Sequence, residues 1–208
     1  IAFTGSKEVG LRINELAAKP SPGQIWVKRV IAEMGGKDTI VVDEDADLED
    51  AAANVVGSAY GFQGQKCSAC SRVIVLDSIY DKFVDMLVER TNKLTVGDPK
   101  DPANYMGPVI NQASEEKILS YIDIGNTEGD LVCGGKKASG NGYFVQPTIF
   151  KNIQPGARLD QEEIFGPVLA VLKASSYDEA INIANSTEYG LTGSVYTRDR
   201  YKIEKAKR

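Results

Sequence analysis

Two cysteines, Cys67 and Cys70, stand in a Cys-x-x-Cys spacing within the segment GQKCSACSR at 64–72. This spacing occurs in redox pairs and in zinc sites, and it also arises where a single thiol is reactive. A redox pair is disfavoured, because its first cysteine usually opens a helix, whereas the β-branched run at 73–75 follows here. A closed zinc site needs four ligands, and the chain adds only Cys133 and no histidine. The sequence therefore predicts no metal site.

Cys67 remains as a candidate nucleophile, in a loop between a predicted helix and a predicted strand. Small polar residues flank it, and Gly64 permits a tight backbone just before it. The alternative is that both cysteines are small buried apolar residues, which is the usual environment of a free cysteine. The residues of this segment leave both interpretations open.

Histidine is absent from the chain. Nucleophile pairs of the Ser-His-Asp and Cys-His kinds need imidazole as the base, so neither can form within it. Proton transfer must then fall to a carboxylate, lysine, tyrosine, cysteine or water.

The composition describes an ordinary globular protein of 208 residues, with 42% hydrophobic and 25% charged residues. Its net charge of −5 and its scattered basic residues argue against nucleic acid as a partner. Since a bilayer span needs ~20 consecutive apolar residues and no run approaches that, no membrane partner is predicted. Three cysteines are too few for a disulfide framework and favour a reducing compartment, here the cytoplasm.

Short β-rich runs alternate with segments of helical periodicity. Extended segments are predicted for 1–4, 25–34, 39–43, 72–77, 143–150, 168–174 and 193–197, and helices for 6–18, 45–62, 78–94, 112–128, 177–185 and the basic C-terminal stretch. Ser78 is predicted to cap the third helix. The Pro- and Gly-rich stretch 96–111 is predicted to be a functional loop. This alternation predicts an α/β domain with a mostly parallel sheet.

Four segments resemble, in the family's order, signature segments of the aldehyde dehydrogenase superfamily. They are FTGSKEVG at 3–10, EMGGKD at 33–38, GQKCSACSR at 64–72 and EEIFGPV at 162–168. The matching region covers essentially the whole chain. The resemblance implies an aldehyde dehydrogenase-like α/β fold, with a mostly parallel sheet flanked by helices, and NAD as the cofactor.

The resemblance also implies site residues. Cys67 takes the position of the family's nucleophile, whose thiolate attacks an aldehyde to give a thiohemiacetal and then a thioester. Glu33 takes the position of the general base that activates the hydrolytic water. It follows an apolar run and precedes two glycines, so a loop can carry it into a cleft; its alternative is an exposed glutamate at the end of a strand. Cofactor binding is assigned to Gly5, Ser6, Val9, Glu163 and Phe165. The first three lie where a helix begins, and a helix N-terminus favours a pyrophosphate.

Ser68, directly after the candidate nucleophile, and Gly193 and Ser194 resemble the branch of the family that oxidises L-glutamate γ-semialdehyde. This aldehyde is the open form of 1-pyrroline-5-carboxylate, from proline and arginine breakdown. In that branch the serine and a glycine-centred loop bind the substrate's α-carboxylate through hydroxyl and backbone N–H donors. The alternatives are another small aldehyde such as succinate semialdehyde, a cofactor-independent cysteine thioesterase or esterase, and a non-catalytic domain that keeps the scaffold.

Finally, the resemblance predicts a division of the chain. Residues 1–24 are expected to be the end of a cofactor-binding domain, and residues 25–208 a catalytic domain that is truncated at its C-terminus. The family's main cofactor domain, its asparagine oxyanion donor and a C-terminal strand that pairs with a neighbouring subunit would lie outside these residues. We therefore expect a fragment that is inactive by itself and that forms homo-oligomers as part of the full-length protein.

Overall fold

The computed structural model describes residues 1–207, and its first unit is a small parallel pair of strands. β1 (Ala2–Thr4) leads into α1 (Lys7–Ala18), which returns the chain to β2 (Ile31–Glu33). The Ser6 hydroxyl accepts a hydrogen bond from the backbone N–H of Val9 and so caps α1. The predicted first strand and first helix are confirmed.

Six strands form the main sheet. In chain order they are β3 (Asp38–Val42), β4 (Cys70–Leu76), β5 (Asp130–Cys133), β6 (Thr148–Lys151), β7 (Val168–Ala174) and β8 (Gly193–Tyr196). Their spatial order is β5-β6-β7-β4-β3-β8, and β5 pairs antiparallel with β6 while the other neighbours pair in parallel. The predicted fold class, an α/β domain with a mostly parallel sheet, is confirmed.

Helices cover both faces of this sheet. They are α2 (Leu48–Tyr60), α3 (Tyr80–Thr91), α4 (Gln112–Glu128), α5 (Arg158–Gln161), α6 (Tyr177–Ala184) and α7 (Arg200–Ala206). Alternate residues of the central strand point to opposite faces, so Val73 and Val75 pack with α2 and α3, whereas Ile74 packs with α4 and α6. Burial on both faces explains why the central strands read as continuous apolar runs.

The structure corrects the prediction for residues 25–34. Only Ile31–Glu33 form a strand, and the side chains of Ile25, Trp26 and Val27 are exposed. β-branched residues favour a strand only where a neighbouring strand pairs with them, and β1 pairs with just the last part of this segment.

The cap predicted at Ser78 is also wrong. Residues 77–79 form a 3₁₀ turn, α3 begins at Tyr80, and the Ser78 hydroxyl donates a hydrogen bond to the Glu44 carboxylate instead. In addition, β6 begins only at Thr148, directly after Pro147, because proline cannot donate to a sheet.

Within residues 1–207, none of the helices is both long enough and apolar enough to cross a membrane. The chain passes from the small sheet to the main sheet at residues 34–37. The domain boundary at 24/25 stays a prediction.

Arg72, the third residue of β4, connects distant segments to the main sheet. Its side chain is 1% exposed and pairs with the fully buried Asp160 at 2.6 Å. The same guanidinium donates to the backbone carbonyl of Lys37, just before β3, and to the carbonyls of Ile183 and Ala184 at the end of α6. One buried cation therefore joins the segments that precede β3 and β7 to the central strand.

We expect Arg72→Met to lower the free energy of unfolding by about 3–5 kcal/mol, because it leaves the Asp160 charge buried without its partner. Urea unfolding followed by circular dichroism measures this loss. Adding Asp160→Asn should recover part of it, since the orphaned charge is then removed. Arg12→Met, which breaks an exposed pair with Glu15, is the matched control and should have little effect. Equal losses for Arg72→Met and Arg12→Met would contradict the assignment.

Candidate active site

Cys67 and Ser68 lie in a tight turn that leads into β4. The backbone N–H of Ala69 donates to the Lys66 carbonyl at 3.1 Å and closes the turn. The N–H of Cys70, the first residue of β4, donates to the Ser58 hydroxyl of α2 at 3.1 Å. Cys67 is half-buried and Ser68 is exposed. The two predicted site residues of this turn are thus held between α2 and β4 and remain accessible.

Three segments meet at the amino ends of neighbouring parallel strands. The Glu33–Gly36 segment precedes β3, the Cys67 turn precedes β4, and the Glu163–Phe165 segment precedes β7. Since β3, β4 and β7 are adjacent and parallel, their preceding loops reach the same edge of the main sheet. This topology brings together segments that are far apart in sequence.

Gly36 makes the closest approach between these segments. A Cβ atom placed on Gly36 would overlap the carbonyl oxygen of Cys67, and one placed on Gly35 would overlap the carboxylate of Glu163. The backbone N–H of Gly36 donates to Glu163 Oε1 at 3.0 Å. Glycine is needed at Gly36 because the Cys67 backbone occupies the space of a side chain, whereas the overlap at Gly35 is with the end of the flexible Glu163 side chain.

Glu33 lies at the carboxyl end of β2, where its side chain is exposed. Its carbonyl accepts a hydrogen bond from the backbone N–H of Gly5 at 3.0 Å. Gly5 and Ser6 follow β1, which is parallel to β2, so they share one edge of the small sheet with Glu33. Val9 is exposed on the first turn of α1. The site therefore lies between the carboxyl edge of the small sheet and the amino edge of the main sheet.

The adjacent residues Glu162 and Glu163 have different environments. Glu162 accepts hydrogen bonds from the guanidinium of Arg158 at 2.9 and 2.8 Å and from the hydroxyl of Tyr121 at 2.6 Å. These bonds, from Arg158 first and Tyr121 second, lower the pKa of Glu162 to about 2. Lys117 donates to the backbone carbonyl of Glu163 at 2.9 Å. Glu162 anchors the segment, and the Glu163 side chain is left to face Gly36.

Phe165, the other predicted cofactor residue of this segment, is exposed and has φ of 59°. Non-glycine residues seldom adopt this left-handed conformation, so the surrounding contacts must hold it there.

Gly193 and Ser194 lie in the segment predicted to be extended at 193–197, and that strand is confirmed as β8. They are the first two residues of β8 and pair with Thr39 and Ile40 of β3. They line a cavity of about 470 Å³ whose walls, among the described residues, do not include Cys67 or Ser68. Since β8 is parallel to β3, its amino end lies at the same edge of the main sheet as the loop before β3, and the role of Gly193 and Ser194 in substrate binding stays a prediction.

Sequence patterns did not single out two buried charges beside this site. Burial, followed by the charge of Arg72, lowers the pKa of Lys37 to about 7. Burial also raises the pKa of Asp38 to about 6, although the backbone N–H of Thr192 donates to it at 3.0 Å. The available signal was two charged residues between a pair of glycines and an apolar strand.

The other two thiols lie in environments that disfavour ionisation. Burial raises the pKa of Cys70 to about 12, and burial also raises the pKa of Cys133. Within residues 1–207, no group of three or more histidine, cysteine, aspartate or glutamate side chains is arranged to hold a metal ion. Cys67 is thus the thiol that lies at the meeting point of the three segments.

Comparison with known proteins gives a consistent set of relatives. The sequence profile of the aldehyde dehydrogenase family matches residues 1–208. A 1-pyrroline-5-carboxylate dehydrogenase of Anoxybacillus flavithermus is 58% identical over 207 residues, which is 100% of this chain and 40% of that protein. The crystal structure of a 1-pyrroline-5-carboxylate dehydrogenase from Thermus with bound NAD is 52% identical, with a TM-score of 0.96 over 100% of this chain and 40% of that one.

A further similar structure is proline utilization A from Bdellovibrio bacteriovorus. It is 50% identical, with a TM-score of 0.96, and the match covers 100% of this chain and 22% of that one. The chain therefore spans two fifths or less of the length of these three relatives.

We expect iodoacetamide to label Cys67 at least about tenfold faster than Cys70 at pH ~8, because thiolate is the reacting form and the pKa of Cys70 is about 12. Peptide mass spectrometry of the native chain over a time course gives the three rates separately. Labelling in denaturant is the control, and there the three rates should converge. Comparable rates at Cys67 and Cys70 in the native chain would contradict the assignment of Cys67 as the accessible thiol.

Proposed function

Because the chain belongs to the aldehyde dehydrogenase family, we propose that it carries the nucleophile and the base of an enzyme that oxidises an aldehyde to the carboxylic acid with NAD⁺. Cys67 is the nucleophile and Glu33 the general base. The observation that carries the proposal is the position of Gly36. Its backbone touches the Cys67 carbonyl and the Glu163 carboxylate and lies three residues after Glu33.

The proposed chemistry uses groups that need no histidine. The Cys67 thiolate adds to the aldehyde carbon and forms a thiohemiacetal. Bound NAD⁺ supplies the hydride acceptor. The acyl group is then held on Cys67 as a thioester, and Glu33 accepts a proton from the water that attacks it. Water supplies the second oxygen of the acid, and the Cys67 thiolate is the leaving group.

The described residues fit a dinucleotide. Gly5 and Ser6 directly precede α1, a helix of 12 residues, at the same edge as Glu33, and the first N–H groups of such a helix favour a pyrophosphate. Glu163 presents a carboxylate that is an acceptor for ribose hydroxyls, and Phe165 is exposed beside it. Val9 lies on the first turn of α1. In this proposal these five residues hold NAD⁺ next to Cys67.

We further propose L-glutamate γ-semialdehyde as the substrate. The support is the exposed hydroxyl of Ser68 beside Cys67 and the names of the relatives that are 58% and 52% identical. A serine in this position can donate to the substrate's α-carboxylate without filling the space around the aldehyde. In this proposal Gly193 and Ser194, the first residues of β8, help to bind the same α-carboxylate.

We also propose a domain boundary and a cellular compartment for the protein. The pair β1–β2 with α1 belongs to the cofactor-binding domain, so we propose to move its end from residue 24 to the change of sheets at 34–37. Residues from Asp38 onward then belong to the catalytic domain. Three free cysteines favour a reducing compartment, and we propose a cytoplasmic enzyme that assembles as a homo-oligomer.

A chimera tests the two catalytic assignments. This chain replaces the matching segment of the Anoxybacillus flavithermus relative, and NADH formation from glutamate γ-semialdehyde is measured. Cys67→Ala should abolish turnover, and Cys70→Ala, at a buried thiol, should retain it. Glu33→Gln should lower kcat by ~10²–10⁴ and leave an acyl adduct on Cys67 that intact-mass spectrometry detects. Glu15→Gln, on the exposed face of α1, is its control.

An inactive chimera with the unmodified chain, or NADH formation that survives Cys67→Ala, would refute the proposed function. An unchanged rate of thioester hydrolysis in Glu33→Gln would refute the role of Glu33 alone.

In the same chimera, Ser68→Ala should raise KM for glutamate γ-semialdehyde ~10-fold, the usual loss for a hydrogen bond to a charged group. KM for propanal, which has no carboxylate, should change by less than about twofold, because that substrate cannot use the bond. Ser71→Ala, in β4 and outside the turn, is the matched control. Equal effects on both aldehydes would remove the basis for the proposed substrate.

A further inference from the structure

The backbone is unusually constrained where the nucleophile segment meets the Phe165 segment. Among the described residues, the non-glycine residues with positive φ are Phe62, Gln63, Asn152 and Phe165. All but Asn152 lie at this junction. Such conformations cost of order 1–3 kcal/mol each and persist only where the surrounding contacts impose them.

Gly64 and Gly166 are in backbone contact at this junction. Gly64 has φ of 66°, and a Cβ atom on it would lie 2.5 Å from the carbonyl oxygen of Gly166 and 2.9 Å from that of Ala59. No larger residue fits there without moving one of the two segments. The two backbones are therefore packed directly on each other, three residues before Cys67.

Gln65 links the same segments through its side chain. Its amide nitrogen donates to the Phe165 carbonyl at 3.4 Å, and its amide oxygen accepts from the backbone N–H of Ile110 at 2.9 Å. Gln63, two residues earlier, donates to the neighbouring carbonyl of Pro108 at 3.2 Å. Both glutamines thus contact the 108–110 loop, but the bond to Phe165 comes from Gln65.

We propose that Gln65 is a positioning residue that couples the segment 163–166 to the turn that carries Cys67. It is two residues from Cys67. Together with the Gly64–Gly166 contact, it fixes the position of the Phe165 carbonyl relative to the start of that turn. A displacement of either segment is then transmitted to the other. The assignment of the two segments to cofactor and nucleophile rests on the proposed function, whereas the coupling itself does not.

The coupling has a specific consequence for the proposed reaction. The carbon bound to Cys67 and the hydride acceptor must be kept at a fixed separation, and an error of about 1 Å in such a geometry costs ~10² in rate. Gln65 bonds to the backbone at Phe165 and Ile110 and is not proposed to contact the aldehyde. Its loss should therefore lower kcat and leave KM for the aldehyde nearly unchanged.

The decisive experiment uses the 208-residue chain and needs no turnover. Gln65→Leu removes both hydrogen bonds at similar size, and Gln65→Glu removes the donor to Phe165 while keeping an acceptor for Ile110. Gln63→Leu is the matched control. Hydrogen–deuterium exchange of 163–168 and the iodoacetamide rate at Cys67 are measured for each variant, with circular dichroism to establish folding.

For Gln65→Leu we expect exchange at 163–168 and alkylation of Cys67 both to rise, each by ~5- to 10-fold, as expected when one or two hydrogen bonds are lost. Gln65→Glu should raise exchange at 163–168 by a similar factor and alkylation less. Gln63→Leu should change both by less than about twofold. Should Gln65→Leu fail to fold, Gln65→Glu carries the same comparison with Gln63→Leu.

Two outcomes would overturn the proposal. One is a Gln63→Leu effect equal to that of Gln65→Leu, which would indicate general loosening of the loop. The other is faster alkylation in both Gln65 variants with unchanged exchange at 163–168, which would show that the segments are not coupled. In the chimera, Gln65→Leu should lower kcat at least ~10-fold with KM within about twofold. An inactive unmodified chimera would count against the proposed function and leave the exchange result standing.

Discussion

The guanidinium of Arg72 and the carboxylate of Asp160 form a buried ion pair on which the arrangement of the other segments depends. Taking two charges out of water costs several kcal/mol per ion, and apolar side chains of similar volume would often give equal stability. The ion pair instead fixes the orientation of the backbones around it. Arg72 also donates to carbonyls before β3 and at the end of α6, so those backbones must lie where its planar donors point. The partners are fixed in orientation as well as in distance.

The segments fixed in this way meet through backbone contacts. Gly36 approaches the Cys67 carbonyl, and Gly64 approaches the Gly166 carbonyl. Neither contact could form with a Cβ atom present. The parallel order of β7, β4 and β3 brings the loops to one edge, and the glycines allow those loops to close on each other. The geometry at the nucleophile turn is therefore set by the order of the strands and by glycines, which have no side chain to keep the backbones apart.

Periodicity was enough to predict the elements whose stability is local or whose two faces are buried. The bounds of α4 (Gln112–Glu128) and β7 (Val168–Ala174) agree with those expected from the sequence. The order of short motifs was enough to predict the segments of the candidate site. Strands that depend on a tertiary partner were predicted at the wrong bounds, as at 25–30, where no neighbouring strand pairs with an apolar run, and at 143–147, since β6 begins only at Thr148.

The hydrogen bonds of Arg72 and Gln65 could not be predicted either, because their partners are distant in the sequence. Arg72 and Asp160 are separated by 88 residues, and Gln65 and Phe165 by 100. Neither pairing leaves a periodic pattern in the sequence. An arginine before a run of four apolar strand residues was the only local hint of the first, and a glutamine beside glycine gave none of the second.

The exposed segment at 25–27 has a spectroscopic consequence. Trp26, the single tryptophan of the chain, is 79% exposed and lies outside the six-stranded sheet. Its indole is already exposed to water in the native state. The tryptophan fluorescence of the chain therefore responds to anything that covers this segment, and it changes little when the main core unfolds. Loss of the six-stranded sheet must be followed by another signal, such as that of Tyr60 in α2 and Tyr80 in α3, which are buried in the core beside it.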